Sequence, residues 1–193
     1  MEYKTRLTLM ERLKNSGDEK SWDEFNSVYR RYIYSIVKSM YVEESRIDDL
    51  IQDVLLSVWK ALPGFEYNNG KGRFSSWLAT ITVNKVKSAK LQKSRQLNRE
   101  HKAYEQQNDL SSNELEQMFD KEWAAFLTQK AWENISRDLS ETMRKCFEGF
   151  MDGQKIKEIA DNLDLPENTV SVYKKRVSTI MKREIHRLRE ELD

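Results

Sequence analysis

Apolar residues recur at intervals of three and four along most of the chain, which is the period of an α-helix. Residues 22–40 carry one such face, and residues 47–62 carry a second that includes Leu55, Val58 and Trp59. A third begins near Arg73 or Phe74, where we expect Trp77, Leu78 and Ile81 to be buried. Strand-like alternation is scarce. The pattern predicts an all-α protein.

The helical pattern fades between residues 96 and about 113 and then returns. Few apolar residues occur in this stretch and they have no period, which is typical of a flexible linker. Beyond it we predict a lead-in helix capped by Ser112 and further helices over residues 140–151, 155–163 and 166–192. The chain therefore divides into two small helical domains joined by a linker.

Composition adds few constraints to this picture. Charged residues make up 34% and hydrophobic residues 38% of the 193 residues, as in small helical domains with much solvated surface. A single cysteine, Cys146, excludes an internal disulfide and favours a reducing compartment. Neither a signal-peptide pattern nor a run of membrane-spanning length is visible. We expect a cytoplasmic protein.

Charge is strongly segregated although the formal net charge is only +1. Residues 71–99 contain eight lysines and arginines and no acid, and residues 168–189 contain seven against the single acid Glu184. Two acidic blocks, residues 43–53 and 96–133, offset them. This asymmetry indicates a protein that binds a polyanion and also a second, basic partner.

The C-terminal part has the spacing of a helix-turn-helix motif. Its first helix would bury Ile159 and Ala160, and the second would begin at Pro166 after a short turn that contains Asp164. The outward face of the second helix combines short polar groups with cations, as major-groove insertion requires: Asn168, Thr169, Ser171, Val172, Lys175 and Arg176. A helical hairpin with a merely solvated charged side is the alternative.

Two stretches upstream, DLIQDVLLSVW and FSSWLATITVN, carry a resemblance to a known family. Together with the C-terminal motif, the chain resembles a bacterial sigma factor of the extracytoplasmic-function (ECF) type over residues 22–95 and 132–192. The resemblance implies sigma region 2 in residues 1–95, as a three-helix-type bundle, and a region 4 helix-turn-helix in residues 132–193. Residues 96–131 would be the linker and lead-in helix.

The resemblance also implies which residues contact core RNA polymerase. Its clamp helices would dock on the polar side of the second helix, at Asp49, Gln52, Asp53 and Leu56. The sequence itself supports this assignment, because this acidic cluster lies on the side of the helix opposite its apolar residues. A solvated face whose first-turn acids compensate the helix dipole is the alternative.

Promoter DNA is the second partner that the family implies. Region 2 would recognise and melt the minus-ten element, with Asn84 reading an extruded base and cations holding the separated phosphates. The residues assigned to this role are Asn68, Lys71, Arg73, Asn84, Lys85, Lys87 and Lys90. The outward face of the last helix would bind the minus-thirty-five element. Ser88, Leu91, Ser171 and Val172 depart from the family's usual residues, which leaves the promoter sequence open.

Catalytic chemistry finds no support in the sequence. Neither His101 nor His186 has partners at metal-ligand spacing, and Cys146 lies on an apolar face. We expect no enzyme, no metal and no cofactor. Two alternatives remain beside the sigma factor: a stand-alone helix-turn-helix regulator of duplex DNA, and a helical adaptor that binds no DNA. The family further implies regulation by an anti-sigma protein.

Overall fold

The computed structural model describes residues 9, 11–14, 19–65, 73–98 and 110–193, and the side chains of residues 96–98 are outside that description. Within these ranges every regular element is a helix, so the predicted all-α class is confirmed. The chain divides into two compact units, Met1–Phe126 with Glu191–Asp193, and Leu127–Glu190.

The first unit is built on three helices that pack against one another: α1 (Glu19–Ser39), α2 (Ile47–Ala61) and α3 (Phe74–Asn98). Each buries most of the apolar face predicted from its period, and Ile33, Val54 and Leu78 are completely inaccessible to solvent. The predicted three-helix bundle is therefore confirmed, and α3 begins at Phe74 as expected.

Aromatic side chains fill the centre of this bundle. The ring of Phe74 lies 5.3 Å from that of Tyr29 and 5.3 Å from that of Trp77, whose other neighbour is Phe65 at 4.6 Å. Such tilted and edge-to-face pairs are favourable beyond the area they bury. Trp77 is half-buried within the cluster, which agrees with its predicted structural role. Its contacts with Phe65 and Phe74 hold the start of α3 in place.

A fourth helix, α4 (Ser112–Ile135), contributes its first half to the same unit. Trp123 and Phe126 stack at 5.0 Å, and Tyr32 of α1 approaches Trp123 to 4.9 Å. Residues 112–126, predicted as the start of the lead-in helix, are thus helical and pack against α1. Residues 99–109, the centre of the predicted linker, lie outside the described residues.

The second unit contains the short helices α5 (Glu141–Met151) and α6 (Ile156–Leu163) and most of α7 (Glu167–Leu192). The hydroxyl of Ser140 accepts a hydrogen bond from the Met143 N–H and caps α5. A core of Cys146, Ile159, Ala160 and Val170 holds the three helices together. The predicted helix-turn-helix is confirmed.

Candidate polymerase and nucleic-acid interfaces

A polar stripe runs along the exposed side of α2. Asp49, Gln52, Asp53 and Leu56 follow one another along the helix, and each of the four is exposed to solvent. The opposite side of the helix buries its apolar residues in the bundle. The four predicted polymerase-binding residues therefore lie on one continuous, accessible face, which we call the acidic stripe.

The acidic stripe continues into an apolar cleft that the sequence did not reveal. Trp59, expected on the buried face, is 47% exposed and lies nearly one turn beyond Leu56, which is 48% exposed. The two residues line an open cleft with Leu55 of α2 and with Glu19, Trp22 and Asp23 of α1. The assignment of Trp59 to the core was wrong because Val58 and Leu62, both fully buried, already fill that end of α2.

The basic side of α3 faces acceptors from the neighbouring segments. Lys85 Nζ lies 3.6 Å from Asp53 Oδ2 of the acidic stripe, and Lys90 Nζ donates to the Met40 carbonyl over 2.6 Å. Lys93, 2.5 Å from Glu43, lowers the pKa of that carboxyl by hydrogen bonding and by its charge. The run of cations is thus partly compensated by acids that are distant in sequence.

The remaining residues assigned to minus-ten DNA differ in their surroundings. Arg73 pairs with Asp120 of α4, and this hydrogen bond raises the pKa of the guanidinium. Asn84 is exposed on α3, while Lys87 is half-buried on the same helix. Asn68 and Lys71 lie outside the described residues.

The outward face of α7 presents most of the predicted DNA-reading residues to solvent. Asn168, Val172, Lys175 and Arg176 are exposed, whereas Thr169 is half-buried. Ser171, also half-buried, donates its hydroxyl to the Glu167 carbonyl over 2.9 Å. The structure therefore brings the six residues onto one helix but commits the Ser171 proton to that helix's own backbone.

The opposite face of α7 explains why these residues point outward. Val170 and Val177 are fully buried, and Tyr173 packs against the core formed by α5 and α6. Lys174 places its ammonium 4.4 Å from the centre of the Phe150 ring. Burial on one side of the helix thus fixes the orientation of the exposed side.

The described part of the chain offers little to a catalytic reading. No group of three His, Cys, Asp or Glu side chains within it could hold a metal ion. Cys146 is buried, and burial raises the pKa of its thiol, which suits the predicted core role. None of the described helices is long and apolar enough to span a lipid bilayer.

Each unit contains a segment that matches a known family model. Residues 27–96 match the family model of sigma-70 region 2, and residues 137–186 match the model of bacterial regulatory proteins of the luxR family. The ECF RNA polymerase sigma-E factor of Escherichia coli (strain K12) is 28% identical over 174 residues, which span 88% of each chain. The RNA polymerase sigma factor NccH of Alcaligenes xylosoxydans xylosoxydans is 30% identical over 71 residues, 37% of each chain.

A solved structure of CnrH in complex with the cytosolic domain of CnrY aligns with 92% of this chain and 95% of that chain. Its sequence identity is 17% and its TM-score 0.37, so it adds nothing to the assignment. The two family models match successive segments, and the similarity to sigma-E runs through both. Both domain matches and both sigma-factor relatives support an ECF-type sigma factor, a protein that directs the initiation of transcription.

Proposed function

We propose that this sigma factor binds core RNA polymerase through the acidic stripe of α2, the minus-ten element through α3, and the minus-thirty-five element through α7. The observation that carries the proposal is the acidic stripe itself. Asp49, Gln52, Asp53 and Leu56 form an accessible line on a helix whose other side is buried, so the stripe can receive a basic partner helix.

The apolar end of the stripe supports the same docking mode. Leu56 and Trp59 are exposed nearly one helical turn apart, next to the carboxylates of Glu19 and Asp23. Aromatic anchors that a partner buries dominate the energy of many protein interfaces. We expect a clamp helix to place an apolar side chain against Trp59 and its cations along Asp49 and Asp53.

For the minus-ten element, the proposal rests on the position of Asn84. Its amide is exposed on α3, and Leu78 and Val86 anchor that helix in the core. A rigidly held amide can read the edge of an extruded base, and a good bidentate pair between an amide and an adenine is worth about 1–3 kcal/mol of discrimination. Lys85, Lys87 and Lys90 would hold the adjacent phosphates.

Charge reversal on the acidic stripe tests the proposal. Asp53→Lys combined with Gln52→Ala should abolish retention by immobilised core polymerase and promoter-specific transcription, with helicity unchanged. Glu116→Lys is the control, since it reverses an exposed acid on α4 of the same unit. Equal retention of the stripe variant and the control would contradict the docking mode.

The same experiment addresses the stand-alone regulator, because immobilised core polymerase would not retain such a protein even as the wild type. The proposed role is non-enzymatic and is carried out in the cytoplasm, where the polymerase is found. An anti-sigma protein stays an expectation from the family. Added to the transcription assay, it would suppress initiation without changing the core enzyme.

A further inference from the structure

Three exposed side chains of α7 form a line at intervals of four residues. Asn168, Val172 and Arg176 have the spacing i, i+4 and i+8, and all are exposed. A rise of about 1.5 Å per residue puts successive members about 6 Å apart along the helix axis. Stacked bases are about 3.4 Å apart along one strand, so each step of this line corresponds to roughly two base pairs when the helix lies in the major groove.

The middle member of the line is chemically unlike its neighbours. Val172 is 55% exposed and contributes nothing to the core of Cys146, Ile159, Ala160 and Val170. A single exposed valine is ordinary on a protein surface. Val172 is distinguished by its place between a side chain suited to adenine and one suited to guanine or phosphate.

Several polar side chains on the same helix as Val172 make contacts within the protein. The Ser171 hydroxyl donates to the Glu167 carbonyl over 2.9 Å, and the Thr179 hydroxyl donates to the Lys175 carbonyl over 2.9 Å. The ammonium of Lys174 is held over the Phe150 ring. The side chains of Ser171, Lys174 and Thr179 are therefore engaged within the protein, which leaves Val172 accessible between Asn168 and Arg176.

We propose that Val172 contacts the C5-methyl group of a thymine in the minus-thirty-five element and so makes that position selective for thymine. Among the four bases only thymine carries a methyl group in the major groove, and an apolar side chain is its matching contact. The inference rests on the proposed function, because it requires α7 to enter the groove of upstream promoter DNA.

Replacing thymine by deoxyuridine removes only that methyl group and gives a direct test. Upstream sequences are first selected from a randomised library with holoenzyme formed from the wild-type chain. Each thymine of the selected site is then replaced in turn. At one position the wild type should lose about fourfold in affinity, the value of one buried methyl group. Holoenzyme with Val172→Ala, which lacks the two terminal methyl groups of valine, should lose most of this penalty.

Met151→Ala is the matched control, since Met151 is 49% exposed in the same unit but lies on α5. It should retain the wild-type penalty at that position. A selected site without thymine, or penalties identical in wild type and Val172→Ala, would overturn the valine contact while leaving the proposed function intact. Failure of the wild type to select any upstream sequence would overturn both.

Discussion

Gly149 of α5 faces Ile159 of α6 at a close approach within the helix-turn-helix. A β-carbon added at Gly149 would lie 2.9 Å from Cγ1 of Ile159 and 2.8 Å from the side-chain oxygen of Gln154. Contacts this short force the neighbours to move. The sequence predicts that the small residue Ala160 is buried in the first helix of the motif. Ala160 is indeed buried in the core, but Gly149 is a second small residue that this crossing requires.

We expect Gly149→Ala to destabilise the second unit by about 1 kcal/mol. Overpacking costs about 1–3 kcal/mol, and the better helix propensity of alanine offsets up to about 1 kcal/mol of it. Urea unfolding measures the change in the free energy of unfolding. The rate at which buried Cys146 reacts with a thiol reagent should rise in parallel. A stabilised variant would mean that the gap between α5 and α6 can accommodate the methyl group.

Asp164 differs from the glycine that is common in the turn of a helix-turn-helix motif, yet the turn still forms. It stands in the turn between α6 and α7, where many such motifs use glycine, and its φ of 51° lies in the left-handed region. Aspartate tolerates this conformation better than most residues with a β-carbon. Asp164 therefore allows the turn after which α7 packs on α6, with Ala160 and Val170 in the same core.

Between neighbouring helices, α2 and α3 carry opposite charges that meet at Lys85 and Asp53. Their side chains are 34% and 55% exposed and 3.6 Å apart, so the pair stabilises the fold weakly. The consequence is functional. Asp53 belongs to the proposed polymerase contact and Lys85 to the proposed DNA contact, so a polymerase that engages Asp53 would release Lys85.

Removing that carboxylate should therefore strengthen DNA binding by the free sigma factor. For Asp53→Asn we expect an affinity increase of up to about fivefold at low salt, since an exposed pair is worth up to about 1 kcal/mol. Fluorescence anisotropy with promoter DNA, without polymerase, measures it. Glu116→Gln changes the net charge equally but on α4 instead of α2. An equal increase in both variants would rule out the specific pair.

Over the full chain, two basic segments and two acidic ones sum to a formal net charge of only +1. Because salt weakens phosphate contacts through counterion release, the basic segment of α7 should dominate the salt dependence of upstream DNA binding. The local charge therefore predicts this behaviour better than the total charge does.

Lys175→Ala and Arg176→Ala should each flatten the plot of log affinity against log salt, by about 0.9 for each phosphate that the substituted side chain no longer neutralises. Holoenzyme binding to upstream promoter duplex, measured across a salt series, gives the slope. Lys121→Ala removes an exposed cation from α4 instead and should leave the slope unchanged. A wild-type slope in both α7 variants would show that these cations do not bind phosphates.

Local periodicity was sufficient to predict the helices, the helix-turn-helix and the line of the acidic stripe, and two short motifs were sufficient for the family. A residue's face on a helix depends only on its distance along the chain, so these features can be read from consecutive residues. The exposure of Trp59, the tight enclosure of Gly149 and the meeting of Lys85 with Asp53 emerged only from the folded chain. Such properties depend on which helices become neighbours, and no single stretch of residues encodes the packing that brings distant side chains together.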